Sequence, residues 1–175
     1  KMGSKTLLLY STTDGQTVSI CERIKSELQK YSKVDVSPLD NSVNLKLDNY
    51  DQVIIGASIR YGKHKLELYE FIKSHKVELE NKKNGFFSVN VVARKPNKNT
   101  PETNPYIKKF LEISLWQPQH IGVFAGKINY PKYRFLDKQM IRFIMYITKG
   151  PTDTNGTFEF TDWNQVDLFA QKFCT

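Results

Sequence analysis

Near the start of this 175-residue chain lies Ser11-Thr12-Thr13-Asp14-Gly15-Gln16-Thr17, a loop with four hydroxyl side chains, one glycine and no Lys or Arg. Hydroxyls, turn amides and the positive end of a following helix can together hold a monophosphate. A glycine lets the backbone approach such a ligand without a Cβ in the way. The loop has neither the lysine of the triphosphate-binding P-loop nor the Gly-x-Gly-x-x-Gly of dinucleotide folds, which leaves a phosphate monoester as the anion it suits. A Ser or Thr here can also simply cap the helix, but one hydroxyl suffices for that and four are present. His64, His75 and His120 have no metal-ligand spacing, so no metal site is expected, and His64 reads as a surface residue, with a proton donor as the alternative. Cys21 falls on an apolar helix face, and neither it nor Cys174 has the neighbours of a nucleophile. No carboxylate pair stands out either. The catalytic side chain is therefore unassigned, and a bound cofactor is the expected carrier of the chemistry.

The elements that must position this loop are legible as an alternation. Thr6–Tyr10, Val34–Val36, Asp51–Ser58, Gly85–Val92 and Ile121–Ala125 are short apolar runs suited to strands buried on both faces. Between them Val18, Cys21, Ile24 and Leu28, then Leu66, Tyr69, Phe71 and Ile72, then Tyr106, Phe110, Leu111, Ile113 and Leu115 read as helices. A last helix beginning after Thr161 or Asp162 carries Val166, Phe169, Ala170 and Phe173. Strands alternating with helices imply an α/β fold with a doubly wound parallel sheet of five strands, in the order 2-1-3-4-5. Residues 5–175 read as one domain, the first four residues being set aside. Residues 127–156 form a long insertion before the last helix.

The hydroxyl loop, with Tyr10 before it and the strand pattern around it, resembles the flavodoxin-like family, in which this loop binds the phosphate of FMN. Asp14 stands where a hydroxyl residue is common in that family. Further stretches resemble the menaquinone-dependent protoporphyrinogen oxidase family: Val53–Gly62, Ser88–Pro96, Thr100–Asn104, Tyr130–Arg134 and Thr161–Trp163. These spread over nearly the whole chain. The resemblance implies FMN as cofactor and oxidation of protoporphyrinogen IX to protoporphyrin IX in haem biosynthesis. Menaquinone or ubiquinone would accept the electrons. A flavodoxin-type FMN electron carrier between partner proteins is the alternative.

On this reading Ser11, Thr12, Thr13, Asp14, Gly15, Gln16 and Thr17 cradle the phosphate. The loops after the third and fourth strands, Ser58-Ile59-Arg60-Tyr61-Gly62 and Asn90-Val91-Val92-Ala93, flank the flavin ring, with Tyr61 placed to stack on it. Arg94 and Lys95 lie on the same rim, where positive charge can stabilise reduced flavin or pair with propionates. Lys127, Lys132 and Arg134 are further candidates for the substrate carboxylates, with Tyr130, Tyr133 and Phe135 as stacking surface.

Residues 127–149 carry six basic side chains and one acid, a charge of +5 out of +8 for the chain. Within them Leu136, Met140, Phe143, Ile144 and Ile147 fall on one helical stripe that Ile141 and Met145 widen. A basic amphipathic helix of this kind reads as a membrane-surface element, and packing on the protein's own sheet is the plainer alternative. Twelve helical residues reach roughly 18 Å against a hydrocarbon core of about 30 Å, so the segment cannot span. Half-burying five such side chains contributes on the order of 5 kcal/mol. Each cation near an anionic leaflet adds up to about 1 kcal/mol. The expectation is reversible attachment to an anionic membrane surface, at the cytoplasmic face of the inner (plasma) membrane. The basic and aromatic residues match no nucleic-acid reader motif, so nucleic acid is not an expected partner. A homo-oligomer is left open.

Overall fold

The structure is a computed structural model and describes residues 4–11, 15–39, 46–59 and 62–174. Five parallel strands, β1 (Lys5–Ser11), β2 (Lys33–Pro38), β3 (Gln52–Ser58), β4 (Lys83–Val89) and β5 (His120–Phe124), form one sheet in the order β2-β1-β3-β4-β5. This is the order expected from the alternation. Helices α1 (Gln16–Leu28), α2 (Leu66–Glu80), α3 (Pro105–Ser114) and α5 (Trp163–Gln171) cover it; α4 (Phe135–Ile147) precedes α5 in the chain.

The apolar runs are continuous because both sheet faces are buried. Successive strand side chains point to opposite faces. Leu7, Leu9, Val53, Ile55 and Phe86 therefore meet α2 and α3 through Leu68, Ile72, Ile107 and Phe110. Leu8, Ile54 and Phe87 meet α1 and α5 through Ile20, Ile24, Val166 and Phe169. The helix register departs from expectation at single positions. In α2 Leu68 and Leu79 are the buried leucines, while Leu66 in the first turn is exposed. In α3 Ile107 and Phe110 are buried, Ile113 and Leu115 are exposed, and Asn104 caps the start by accepting from the Tyr106 N–H at 3.1 Å.

Between β5 and α5 the chain forms β6 (Lys127–Asn129), a single turn at Tyr130–Lys132, α4, and β7 (Thr157–Glu159). β6 and β7 pair antiparallel, with Lys127 opposite Glu159. Neither three-residue strand shows a period in the sequence, and the paired unit runs to Glu159. Two bonds clamp it to the sheet edge: Phe160 N–H to the Gly126 carbonyl at 3.0 Å, and Thr161 Oγ1 to the Ala125 carbonyl at 2.7 Å.

α4 meets the protein along one edge only. Met145 and Ile141 turn inward against Ile128, Tyr130, Tyr133 and Phe158. Leu136, Phe143 and Ile147 are 79%, 62% and 61% exposed, and Met140 and Ile144 are also exposed. The stripe therefore does not pack on the sheet: its two widening residues do the packing, Leu136, Phe143 and Ile147 face outward, and Met140 and Ile144 lie between, along a cleft. α4 has 13 residues, and no helix among the described residues is long and apolar enough to cross a membrane.

Candidate functional site

The strand register brings the carboxyl ends together. Ser11 lies beside Ala57, Ser58 beside Val89, and Val89 beside Phe124. Two backbone bonds extend this edge, Ile59 N–H to the Val89 carbonyl at 3.0 Å and Asn90 N–H to the Phe124 carbonyl at 3.1 Å. Strand order reverses between β1 and β3, and crevices at such switch points are where open sheets bind ligands.

At the β1 end, Gly15 precedes α1 with φ 91°, a left-handed conformation that a side chain would strain. No side chain among the described residues caps this terminus, and the first turn of α1 carries no acid. Thr17 is fully buried and its Oγ1 has no hydrogen-bond partner among the described residues. An orphaned buried hydroxyl costs free energy unless something bonds to it. Ser58 Oγ, at the end of β3, is buried and orphaned in the same way. Two other predicted members are already engaged. Ser11 Oγ donates to Glu67 at 3.0 Å, and Gln16 Nε2 donates to Glu159 at 3.1 Å and to Thr161 Oγ1 at 2.9 Å. Thr12, Thr13, Asp14, Arg60 and Tyr61 lie outside the described residues. A left-handed glycine, an acid-free helix start and an orphaned threonine hydroxyl fit a phosphate monoester such as that of FMN.

Two clefts adjoin along this edge. One, of about 190 Å³, is lined by Gly15, Gln16, Ser19, Asn129, Lys127 and Lys132. The other, of about 150 Å³, lies between the turn Val91–Arg94 and α4. Its walls include Ile59, Gly62, Val91, Val92, Met140 and Ile144. Lys127 and Tyr133 border both. The structure thus brings the start of α1, Ile59 and Gly62 after β3, the turn after β4 and the basic segment to one place. Gly62 adopts φ 79° there.

The side chains after β4 turn inward. Asn90 Oδ1 accepts from the Ala93 N–H at 3.1 Å and from Asn104 Nδ2 at 3.0 Å, and its Nδ2 donates to Ser88 Oγ at 3.1 Å. Asn90 therefore fixes the turn and presents backbone to the cleft, and Ala93 is buried. Ser88 Oγ also meets His64 Nε2 at 2.9 Å. The Ser88 hydroxyl, which accepts from Asn90, thus links the Asn90 amide to the His64 ring. His64 is 4% exposed, packed edge-on against Phe86 and Phe110. The surface placement expected of it is wrong, because α2 and α3 close over it. Burial, helped by the Lys109 charge, lowers its pKa from 6.5 to about 4.

The candidate cations separate. The Arg94 guanidinium is committed to backbone: Nη2 donates to the Thr148 carbonyl at 2.9 Å and Nη1 to the Val91 carbonyl at 3.2 Å. Desolvation lowers its pKa. Lys95 is half-buried on the rim, while Lys132 and Arg134 are exposed. Of the expected stacking residues, Tyr130 is fully buried and donates to the Pro151 carbonyl at 2.7 Å, so it offers no surface. Tyr133 accepts the Asn129 N–H at 3.1 Å, and Phe135 is exposed. Tyr106, which also lines the cleft beside α4, is a member that sequence reasoning missed. Its place at the start of α3 carries no local signal of that role.

Comparison with known proteins agrees with this geometry. The flavodoxin domain family model matches residues 7–155. A protoporphyrinogen IX dehydrogenase (quinone) of Escherichia coli strain K12 is 46% identical over 96% of this chain and 93% of its own length. A protein of the same name from Leishmania major is 45% identical over 97% of this chain and 74% of its own. Among solved structures, a short-chain flavodoxin associated with a bacterial microcompartment aligns with TM-score 0.55 at 11% identity, over 98% of this chain and 99% of that one. A Fusobacterium nucleatum flavodoxin aligns with TM-score 0.52 at 13% identity, over 97% and 96%; these two likenesses concern the fold. The chain belongs to the flavodoxin domain family and, within it, to the family of the quinone-type protoporphyrinogen IX dehydrogenases.

Proposed function

We propose that this chain is an FMN-dependent oxidoreductase that oxidises protoporphyrinogen IX to protoporphyrin IX and passes the electrons to a membrane quinone. The observation that carries the reading is the orphaned Thr17 hydroxyl at an acid-free helix start, aligned along one sheet edge with an apolar cleft walled by α4. Bound FMN supplies two-electron redox chemistry that the side chains lack. The residues do the rest. Gly15, Thr17 and the start of α1 hold the phosphate end, with Thr12 and Thr13 beside them in sequence. Val91, Val92 and Gly62 would wall the flavin, and Met140 and Ile144 of α4 would exclude water from it. Lys95 and Arg134 would pair with propionate carboxylates.

The outward face of α4 supports a peripheral attachment. Seven large apolar side chains of α4 are exposed, on a helix flanked by Lys132, Arg134 and Lys149. Lying flat at the cytoplasmic face of an anionic membrane, α4 puts the cleft at the lipid boundary. There menaquinone or ubiquinone would reach the cleft from the lipid without crossing water. Six electrons leave the substrate in three two-electron steps, and three quinones become quinols.

The test is porphyrin formation without oxygen by the FMN-loaded protein, in vesicles carrying menaquinone or ubiquinone. Quinone-dependent turnover is expected. An electron carrier would give none while still exchanging electrons with a partner protein.

A further inference from the structure

Of the lysines expected to hold substrate carboxylates, Lys132 borders only the cleft at the start of α1, and Lys127 lies where the two clefts meet. Lys127 and Lys132 line the cleft that Gly15, Gln16 and Ser19 form at the start of α1. From this we infer that Lys127 and Lys132, carried by the segment between β5 and α5, neutralise the phosphate of the bound nucleotide. The inference rests on the FMN reading above.

A phosphate monoester carries close to two negative charges at neutral pH. The loop Ser11–Thr17 has no cation to offer, and Asp14 adds a negative charge to it. A helix terminus supplies about half a charge, so more than one charge remains to be balanced. Two lysines in the same cleft supply two. Their backbones are fixed: Lys127 is held in the β6–β7 pair opposite Glu159, and Lys132 ends the turn between β6 and α4. Tyr133 pins that turn, its hydroxyl accepting the Asn129 N–H at 3.1 Å. The acid opposite Lys127 is Glu159, whose carboxylate accepts from Gln16 Nε2 at 3.1 Å and from the Trp163 indole at 3.4 Å. Among the described residues neither lysine forms an ion pair.

The same segment that bares the α4 face then also retains the cofactor. Riboflavin, which lacks only the phosphate, separates this role from every other. The experiment titrates apo-protein with FMN and with riboflavin, following flavin fluorescence, for wild type, Lys127→Gln, Lys132→Gln and the double variant. FMN binding weakens about tenfold per lysine, and raising the salt weakens it less in the variants than in wild type. Riboflavin binding stays unchanged, which also reports that each variant is folded. An FMN-to-riboflavin preference equal to wild type in the double variant overturns the inference. A raised KM for protoporphyrinogen at unchanged FMN affinity would return the lysines to the substrate. If the wild type binds neither flavin, the cofactor reading falls and this inference with it.

Discussion

The Arg94 guanidinium reaches across 54 positions of sequence to the end of α4, donating to the Thr148 carbonyl at 2.9 Å and to its hydroxyl at 3.1 Å. Its other arm holds the Val91 carbonyl, and the group sits 5.9 Å above the Phe160 ring. One planar fork thus joins the turn beside the ring cleft to the terminus of the outward-facing helix, where cations are favoured by the helix dipole. Lysine carries the charge but not the fork. Arg94→Ala should cost about 2 kcal/mol, lowering Tm by roughly 4–8 °C. Arg94→Lys should recover less than half of that, and amide exchange in the last turn of α4 should rise in both. A full recovery by lysine would mean that charge alone matters.

Thr17→Val tests the orphaned hydroxyl. The swap keeps the shape and removes a buried oxygen that has no partner, so the apo-protein should hold or slightly gain stability. FMN affinity should fall about 10- to 100-fold, the loss of one charge-assisted hydrogen bond. Thermal melts and flavin titration read the two effects separately. Unchanged FMN affinity would mean that Thr17 faces no ligand.

His64 makes stability depend on pH. Its folded pKa of about 4 lies below its ordinary 6.5, so the unfolded chain binds the proton first on acidification. The contribution is full above pH 6.5 and is lost as pH falls from 6.5 through about 4, a change on the order of 3 kcal/mol. His64→Gln should flatten the fall of Tm across that window relative to wild type. Equal slopes in the two proteins would show that other groups control it.

The bare face of α4 should matter for lipid and not for folding. Leu136→Ser, Phe143→Ser and Ile147→Ser together remove side chains that are 61–79% exposed, so Tm should move by less than about 2 °C. Co-sedimentation with anionic vesicles should drop at least tenfold, and wild-type binding should weaken in high salt. Retained vesicle binding by the triple variant would assign that face to something other than lipid.

What the sequence made legible follows from which forces are local. The five strands stood out because burial on both sheet faces leaves apolar runs such as Leu7–Leu9 and Val53–Ile55, and the amphipathic period of α4 was visible for a similar reason. Which edge of its wide stripe meets the protein was not visible, since Ile141 and Met145 are as apolar as Phe143 and Ile147. β6 and β7 are too short for a period. The burial of His64 depends on Phe86 and Phe110, and the engagement of Arg94 on Thr148. Both are tertiary contacts with no signature in the neighbouring residues. The phosphate loop was readable as chemistry, but the approach of Lys127 and Lys132 to it depends on how β6 docks beside Ala125 and Gly126.

The central claim is that one bound FMN links porphyrinogen to quinone. It is tested most directly by following the flavin absorbance of the loaded protein without oxygen, adding protoporphyrinogen IX first and quinone second. The account predicts loss of the oxidised flavin spectrum on the first addition and its return on the second, with porphyrin fluorescence appearing. A flavin that stays oxidised with porphyrinogen, or that quinone fails to reoxidise, would contradict it.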